Sequence, residues 1–316
     1  CRYRLGLTRF VLKQYEESAT DLAAYLKAAA EGPHAPEARL YLARTHLEQG
    51  SLETAGKELK ALADGAGEVA ARASLWYARV YTRDDPRDYD SAASILATAT
   101  QSHAESAIIN DLRFDYANAL MAREEPDWET ALAALALLGS AETFGQQAEV
   151  LNQIAVCQQK LRKHEESLAS NTKFLAAHSD HRLAGEARFM KAENLFLLGR
   201  LEEASKGYAD FLASDTDHPN RLAASFRQAQ IHHAAGRWAE CLETATAIAA
   251  SNPEGSLYDQ LPFMIGDSLF RQEEWEKAIA PLSAFLSSRI TGTEEGRSVK
   301  AGPNVDTALI QLAVCH

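Results

Sequence analysis

Gly236–Arg237–Trp238–Ala239–Glu240–Cys241 packs a turn, a bulky residue and, three positions later, a small residue into one short stretch. Gly199–Arg200–Leu201–Glu202–Glu203–Ala204 and Gly50–Ser51–Leu52–Glu53–Thr54–Ala55 have the same form. Outward from these, the bulky position recurs as Tyr15, Leu52, Tyr89, Trp128, His164, Leu201, Trp238 and Trp275, with gaps of 37, 37, 39, 36, 37, 37 and 37 residues. The small position follows as Ser18, Ala55, Ala92, Ala131, Ser167, Ala204, Cys241 and Ala278. A second column lies upstream at Gly6, Ala43, Ala78, Ala117, Ala155, Ala192, Ala229, Gly266 and Ala313, and every member is Ala or Gly. Self-similarity at a fixed period marks a repeat architecture.

Close packing of helices explains the two small columns. Antiparallel helices joined by a short turn approach to about 8–10 Å between axes only where side chains are small. The bulky residue covers the end of the pair. Leu22/Tyr25, Leu59/Leu62, Tyr208/Phe211 and Leu282/Phe285 sit three apart on one face of the second helix of each pair. Gly32–Pro33, His218–Pro219 and Asn252–Pro253 fall where helices should end. One helix pair cannot bury its apolar face alone, so stacked neighbours bury it jointly. The expected fold class is all-α.

These motifs resemble the tetratricopeptide repeat family, helix–turn–helix units that stack into a right-handed α-solenoid. The resemblance implies about eight repeats and one partial repeat in a single solenoid over residues 1–316: 1–34, 35–68, 69–105, 106–143, 144–181, 182–218, 219–255, 256–302 and the partial 303–316. The period of 37 exceeds the family's usual length of about 34. That longer period is similar to repeats of bacterial cell-envelope members, among them accessories of the Tol–Pal system and of outer-membrane barrel assembly. Residues 83–88 and 123–127 lengthen two turns, and Arg289 to Gly302 reads as a loop. Leu5, Leu7 and Phe10 at one end, and Leu309 and Leu312 at the other, have no polar cap. The protein is therefore expected to continue beyond both ends or to meet other chains there.

The chain has 316 residues, 46% hydrophobic and 24% charged, with a net charge of −12. That acidity excludes a dominant nucleic-acid footprint, which needs a basic face. No apolar run approaches the roughly 20 residues of a membrane-spanning helix. Four cysteines make no disulfide scaffold. The sequence holds no nucleophile elbow, phosphate loop or dinucleotide fingerprint, so neither catalytic residues nor cofactors are expected. His164–Glu165–Glu166 begins like a zinc-protease helix, but Leu168 stands where the second histidine is needed. His178 and His181 read as solvated turn residues, and Asp84, Asp85, Asp88 and Asp90 as an acidic turn lacking the glycine and glutamate of a calcium loop. No metal is expected. Unpaired thiols lean toward a reducing compartment and the family subtype toward the envelope; the compartment stays open, with the periplasm or cell envelope favoured slightly over the cytoplasm.

In the family the first helices line an inner groove. Arg44, Arg79, Asn118, Glu193, Gln230 and Asp267, each one position after the small column, are expected to face it. Arg72, Arg83, Asn152, Phe189, Phe196, Phe226, His233, Phe263 and Phe270 extend that row. Arginines would take carboxylates, amides a peptide backbone, and phenylalanines apolar anchors. The expected function is a non-enzymatic scaffold for a protein or peptide partner. An envelope assembly factor and a helical regulatory arm of a larger enzyme are the alternatives.

Overall fold

The computed structural model describes residues 2–139, 144–251, 254–255, 258–291 and 298–316. Asn252–Pro253 lies outside them, as does the centre of the stretch from Arg289 to Gly302. Contacts divide the chain into two compact units, Cys1–Lys163 and His164–His316. The first unit contains α1 (Arg2–Val11), α2 (Tyr15–Ala28), α3 (Ala35–Glu48), α4 (Leu52–Ala63), α5 (Gly67–Arg83), α6 (Tyr89–Ser102), α7 (Ile109–Ala122), α8 (Trp128–Ala136) and α9 (Gln147–Lys160). The second contains α10 (His164–Ala177), α11 (Ala184–Leu197), α12 (Leu201–Ser214), α13 (Arg221–Ala234), α14 (Trp238–Ala250), α15 (Leu261–Arg271), α16 (Trp275–Ser287) and α17 (Val305–Cys315). Each unit is a stack of helical hairpins, an all-α solenoid.

Every second helix, from α2 to α16, starts on its bulky residue. An acidic residue stands in the first turn of each of these helices. There it complements the partial positive charge of the helix N-terminus. The small residue three positions in has 0% exposure in all eight. It meets the upstream column of its own first helix: Ser18 Oγ donates to the Gly6 carbonyl across α1 and α2 at 2.9 Å. At Gly6 and Gly266 a Cβ would stand 2.7 Å from Cγ of Leu22 and of Leu282 respectively. Glycine is required there because a leucine of the second helix already fills the space. In the rest of the column Ala43, Ala78, Ala117, Ala155, Ala192 and Ala229 are buried, whereas Ala313 is exposed. Within these residues no second helix follows α17 to cover it.

Six of the turns between paired helices place a left-handed residue two positions before the bulky one: Lys13, Gly50, Arg162, Gly199, Gly236 and Glu273. The two lengthened turns solve the restart differently. Asp88 and Asp127 accept from the backbone N–H of Ser91 and Thr130 at 2.9 and 3.0 Å, capping α6 and α8. Their own N–H groups donate back to the carbonyls of Tyr81 and Leu120.

Between α16 and α17 the expected loop contains a short antiparallel ladder, β1 (Ile290–Thr291) and β2 (Ser298–Val299), with Ile290 opposite Val299. The core is mainly apolar, and around α10 it holds a polar cluster in which Ser167, Asn171 and Asn194 are fully buried. Asn194 Nδ2 donates to Ser167 Oγ at 2.8 Å and Asn171 Nδ2 to the Ser167 carbonyl at 2.9 Å. His178 and His181 are half-buried against Phe174, at 5.5 and 5.9 Å between ring centroids, instead of solvated.

Two substitutions separate packing from backbone strain. Ala192 is buried so tightly that a Cβ on Gly207 would lie 3.1 Å from its own, so Ala192→Leu should cost about 1–3 kcal/mol in urea unfolding. A Cβ at Gly199 meets nothing, but its φ is +74°, so Gly199→Ala should cost about 1 kcal/mol from conformation alone.

Candidate functional site

In the first unit, side chains on α1, α3, α5 and α7 meet in a continuous series. Arg44, one position past the small Ala43, is rotated away from its own second helix toward the neighbouring first helices. Its guanidinium lies 4.7 Å from the ring centre of Phe10, 4.9 Å from Tyr41 and 4.1 Å from Trp76. Arg79 stands 4.6 Å from the same Trp76 ring and bonds Asp115 through Nε at 2.7 Å. Cations over aromatic faces gain about 0.5–2 kcal/mol each, more as water is removed. Arg72 reaches Glu37 at 3.3 Å, and Arg83 reaches Glu48 at 2.9 Å. The hydrogen bond from Tyr3 holds the Glu37 carboxyl below its ordinary range, outweighing burial and joined by the bond from Arg72.

A cavity of about 480 Å³ opens beside this series, lined by Arg79, Thr82 and Arg83 of α5, Tyr89 and Leu96 of α6, and Asp115 and Asn118 of α7. Asn118 Oδ1 accepts from Gln153 Nε2 of α9 at 2.6 Å, which turns its NH₂ group free. Arg79 uses only Nε toward its carboxylate, and Arg83 only one terminal nitrogen. The cavity therefore presents donors, with its one carboxylate already engaged.

The corresponding side chains of the second unit satisfy one another. Glu193 accepts from Arg227 Nε at 2.9 Å and from the buried Tyr208 hydroxyl, and Arg227 also donates to Gln230 at 3.0 Å. Arg227 covers Phe196 at 4.6 Å. Phe189 packs on Phe211 at 5.5 Å, and Phe270 rests half-buried against the cluster of Phe263, Leu282 and Phe285. His233 Nε2 contacts Asp267 Oδ2 at 2.8 Å, and Asp267 also receives Arg271 at 3.3 Å and Gln311 of α17. Burial alone would raise the Asp267 pKa; the hydrogen bonds from His233 and Gln311, with the nearby positive charge, hold it below its ordinary value.

Residues 3–68 match the family model of the tetratricopeptide repeat. No curated protein sequence matches the chain. Among solved structures, the apo form of RapI is similar at 14% identity over 91% of this chain and 86% of its own, with a TM-score of 0.57. A signal-transduction ATPase with a tetratricopeptide repeat sensor from Pyrococcus horikoshii is similar at 14% identity over 98% of this chain and 48% of its own, with a TM-score of 0.55. The type IV pilus biogenesis factor PilW is similar at 15% identity over 73% of this chain and 99% of its own, with a TM-score of 0.52. The fold is a tetratricopeptide-repeat solenoid.

Within that solenoid, four residues of the expected groove row lie inside the packing. Phe226, Phe263, Asp267 and Asn152 are 1%, 2%, 3% and 7% exposed. Three of them share one register, three positions before the small column, and so do the buried Tyr3, Leu40, Leu75 and Phe114. That register points into the seam where a first helix meets the rest of its stack, and Phe189 at the same register is half-buried against Phe211. Asp267 is covered from α17 instead. In the first unit Arg83 is exposed and Arg44, Arg72, Arg79 and Asn118 are half-buried; in the second, Phe189, Glu193, Gln230, His233 and Phe270 are half-buried and engaged with neighbours. Trp76, Tyr41 and Asp115 were not expected at the site. Aromatic residues two positions before Ala43 and Ala78, in consecutive repeats, are the sequence signal for the first two. Among the described residues, no three His, Cys, Asp or Glu side chains are placed to hold a metal ion.

The Asp267 cluster gives a pH signature. Its folded pKa is depressed, so its contribution to stability is complete above the ordinary aspartate value of about 3.9 and is lost as pH falls through the folded value. Urea midpoints measured from neutral to strongly acidic pH should fall more steeply for the wild type than for Asp267→Asn, the two curves converging at the acid end.

Proposed function

We propose that this chain is a non-enzymatic protein-interaction scaffold that holds a partner segment along the first helices of residues 1–163. The open donors of the cavity between α5 and α7 carry the reading: Arg79, Arg83 and Asn118 each keep hydrogen-bonding capacity after their internal bonds are made. A cavity of about 480 Å³ accommodates one or two side chains of a peptide, and few such anchors dominate an interface. Apolar surface beside it, from the half-buried Tyr89 ring, supplies the dry contact that strengthens polar bonds. The protein-binding use of tetratricopeptide solenoids accords with this assignment.

A random peptide library displayed against the immobilised full chain tests it. Selected peptides should bind the wild type and lose about tenfold or more in affinity on Arg83→Glu combined with Asn118→Asp, with helix content and melting unchanged. A library that enriches nothing, or peptides indifferent to both substitutions, overturns the proposal.

A further inference from the structure

Around the cation–aromatic series of the first unit, four guanidiniums face three carboxylates. Arg72 bonds Glu37, Arg79 bonds Asp115 and Arg83 bonds Glu48. Arg44 is the fourth, and no carboxylate among the described residues is paired with it. Its surroundings are Phe10, Tyr41 and Trp76, all within 4.9 Å of its guanidinium carbon. The Tyr41 hydroxyl also accepts a hydrogen bond from Arg44, and Glu48, whose charge Arg44 feels, is held by Arg83. Arg44 Nε is buried without a hydrogen-bond partner.

We propose that Arg44 is the anchor of the partner segment named above, and that it takes an aspartate or glutamate side chain of that segment. The inference rests on the scaffold reading and supplies its chemistry. Aromatic faces offset the loss of water around a cation, but they accept no in-plane N–H bonds, so the rings leave the guanidinium's hydrogen-bonding capacity largely unspent, as the unpartnered Nε shows. The three rings also fix the side chain in place before a partner arrives, which removes most of the ordering cost of binding. A carboxylate matches the planar fork by two parallel bonds, and it meets the guanidinium where water is already scarce. The local excess is a single positive charge. A carboxylate neutralises it, whereas a phosphate dianion or a nucleic-acid backbone would leave surplus negative charge against Glu37, Glu48 and Asp115, in a chain whose net charge is already −12. Burial works in the same direction: it presses the Arg44 pKa downward, and an arriving carboxylate restores it.

The test uses the full chain and a labelled pentaglutamate peptide, with pentaglutamine as the uncharged control and inorganic phosphate as competitor. Pentaglutamate should bind with an affinity that falls as salt rises; pentaglutamine should not bind, and millimolar phosphate should not displace the probe. Arg44→Gln should weaken pentaglutamate by about tenfold or more, while Arg200→Gln, in the second unit, should change it by less than about twofold. If Arg44→Gln melts early, Trp76→Leu decides in its place, because it removes a wall of the cage and leaves the charge: a loss of pentaglutamate affinity of about threefold or more is expected. Equal binding of the two peptides, displacement by phosphate, or affinity unchanged in the Arg44 and Trp76 variants overturns the inference. Library peptides that depend on Arg83 and Asn118 but carry no fixed acidic residue would remove the Arg44 anchor and leave the scaffold standing. A library that enriches nothing would remove both.

Discussion

Close approach of two helix backbones, at one small residue from each, is the constraint on which the whole molecule depends. The bond from Ser18 Oγ to the Gly6 carbonyl shows how near the backbones come. A larger residue at either position would move a second helix outward, and the leucine, tyrosine or phenylalanine further along it would leave its seat. Leu22, Leu59, Tyr208 and Leu282 are all fully buried at one common register, seven residues after the bulky start of their helices. The contact sets the rotation of both helices of a pair. It thereby determines which first-helix side chains turn outward and which enter the seam.

Outward-turned side chains meet the next first helix about 35 residues along the chain, and most of them find a charge there. Glu37 with Arg72, Arg79 with Asp115, and Glu193 with Arg227 are all of this kind. Surface pairs of this sort contribute little to stability individually. Their greater effect is on the surface itself, because a charge bonded to the adjacent repeat is less available to a partner. The second unit is the more complete case, with Glu193, Gln230, His233 and Asp267 all engaged. In the first unit the matching leaves one guanidinium over, and the cavity beside it keeps its donors.

The hairpins were legible because their signals are local. A bulky residue and a small one three later fix a helix start and its packing face within a single turn of helix, and each second helix begins on the residue so marked. Column identity does not by itself report burial: Ala313 is an alanine like most of its counterparts, yet it is exposed among the described residues. Burial at the register of Phe226 and Phe263 was not legible, since a phenylalanine suits a groove as well as a seam and only the neighbouring helix decides. The ion pairs between successive first helices were hidden for the same reason, each partner lying about a full repeat away. Lys13, Arg162 and Glu273 hold left-handed backbone without the glycine that would announce it. The ladder of Ile290 and Val299 is too short to leave a periodic trace.

Two of the charge pairs differ from the others in kind. Glu165 with Arg200 and Glu202 with Arg237 join the same two positions of successive repeats: the residue after one bulky start and the residue before the next. Cutting out residues 184–220, one whole period, would bring Glu165 opposite Arg237 and rebuild the lost contact. The pair of Glu193 and Arg227 has no such counterpart, for Val156 stands at the matching position one repeat earlier. Between residues 165 and 237 the edge carrying the first kind of pair keeps its match when one module is removed, so a gene can lose one there without electrostatic penalty. The first-helix face is not interchangeable: its modules carry an order, and shuffling them would strand Arg227 beside a valine.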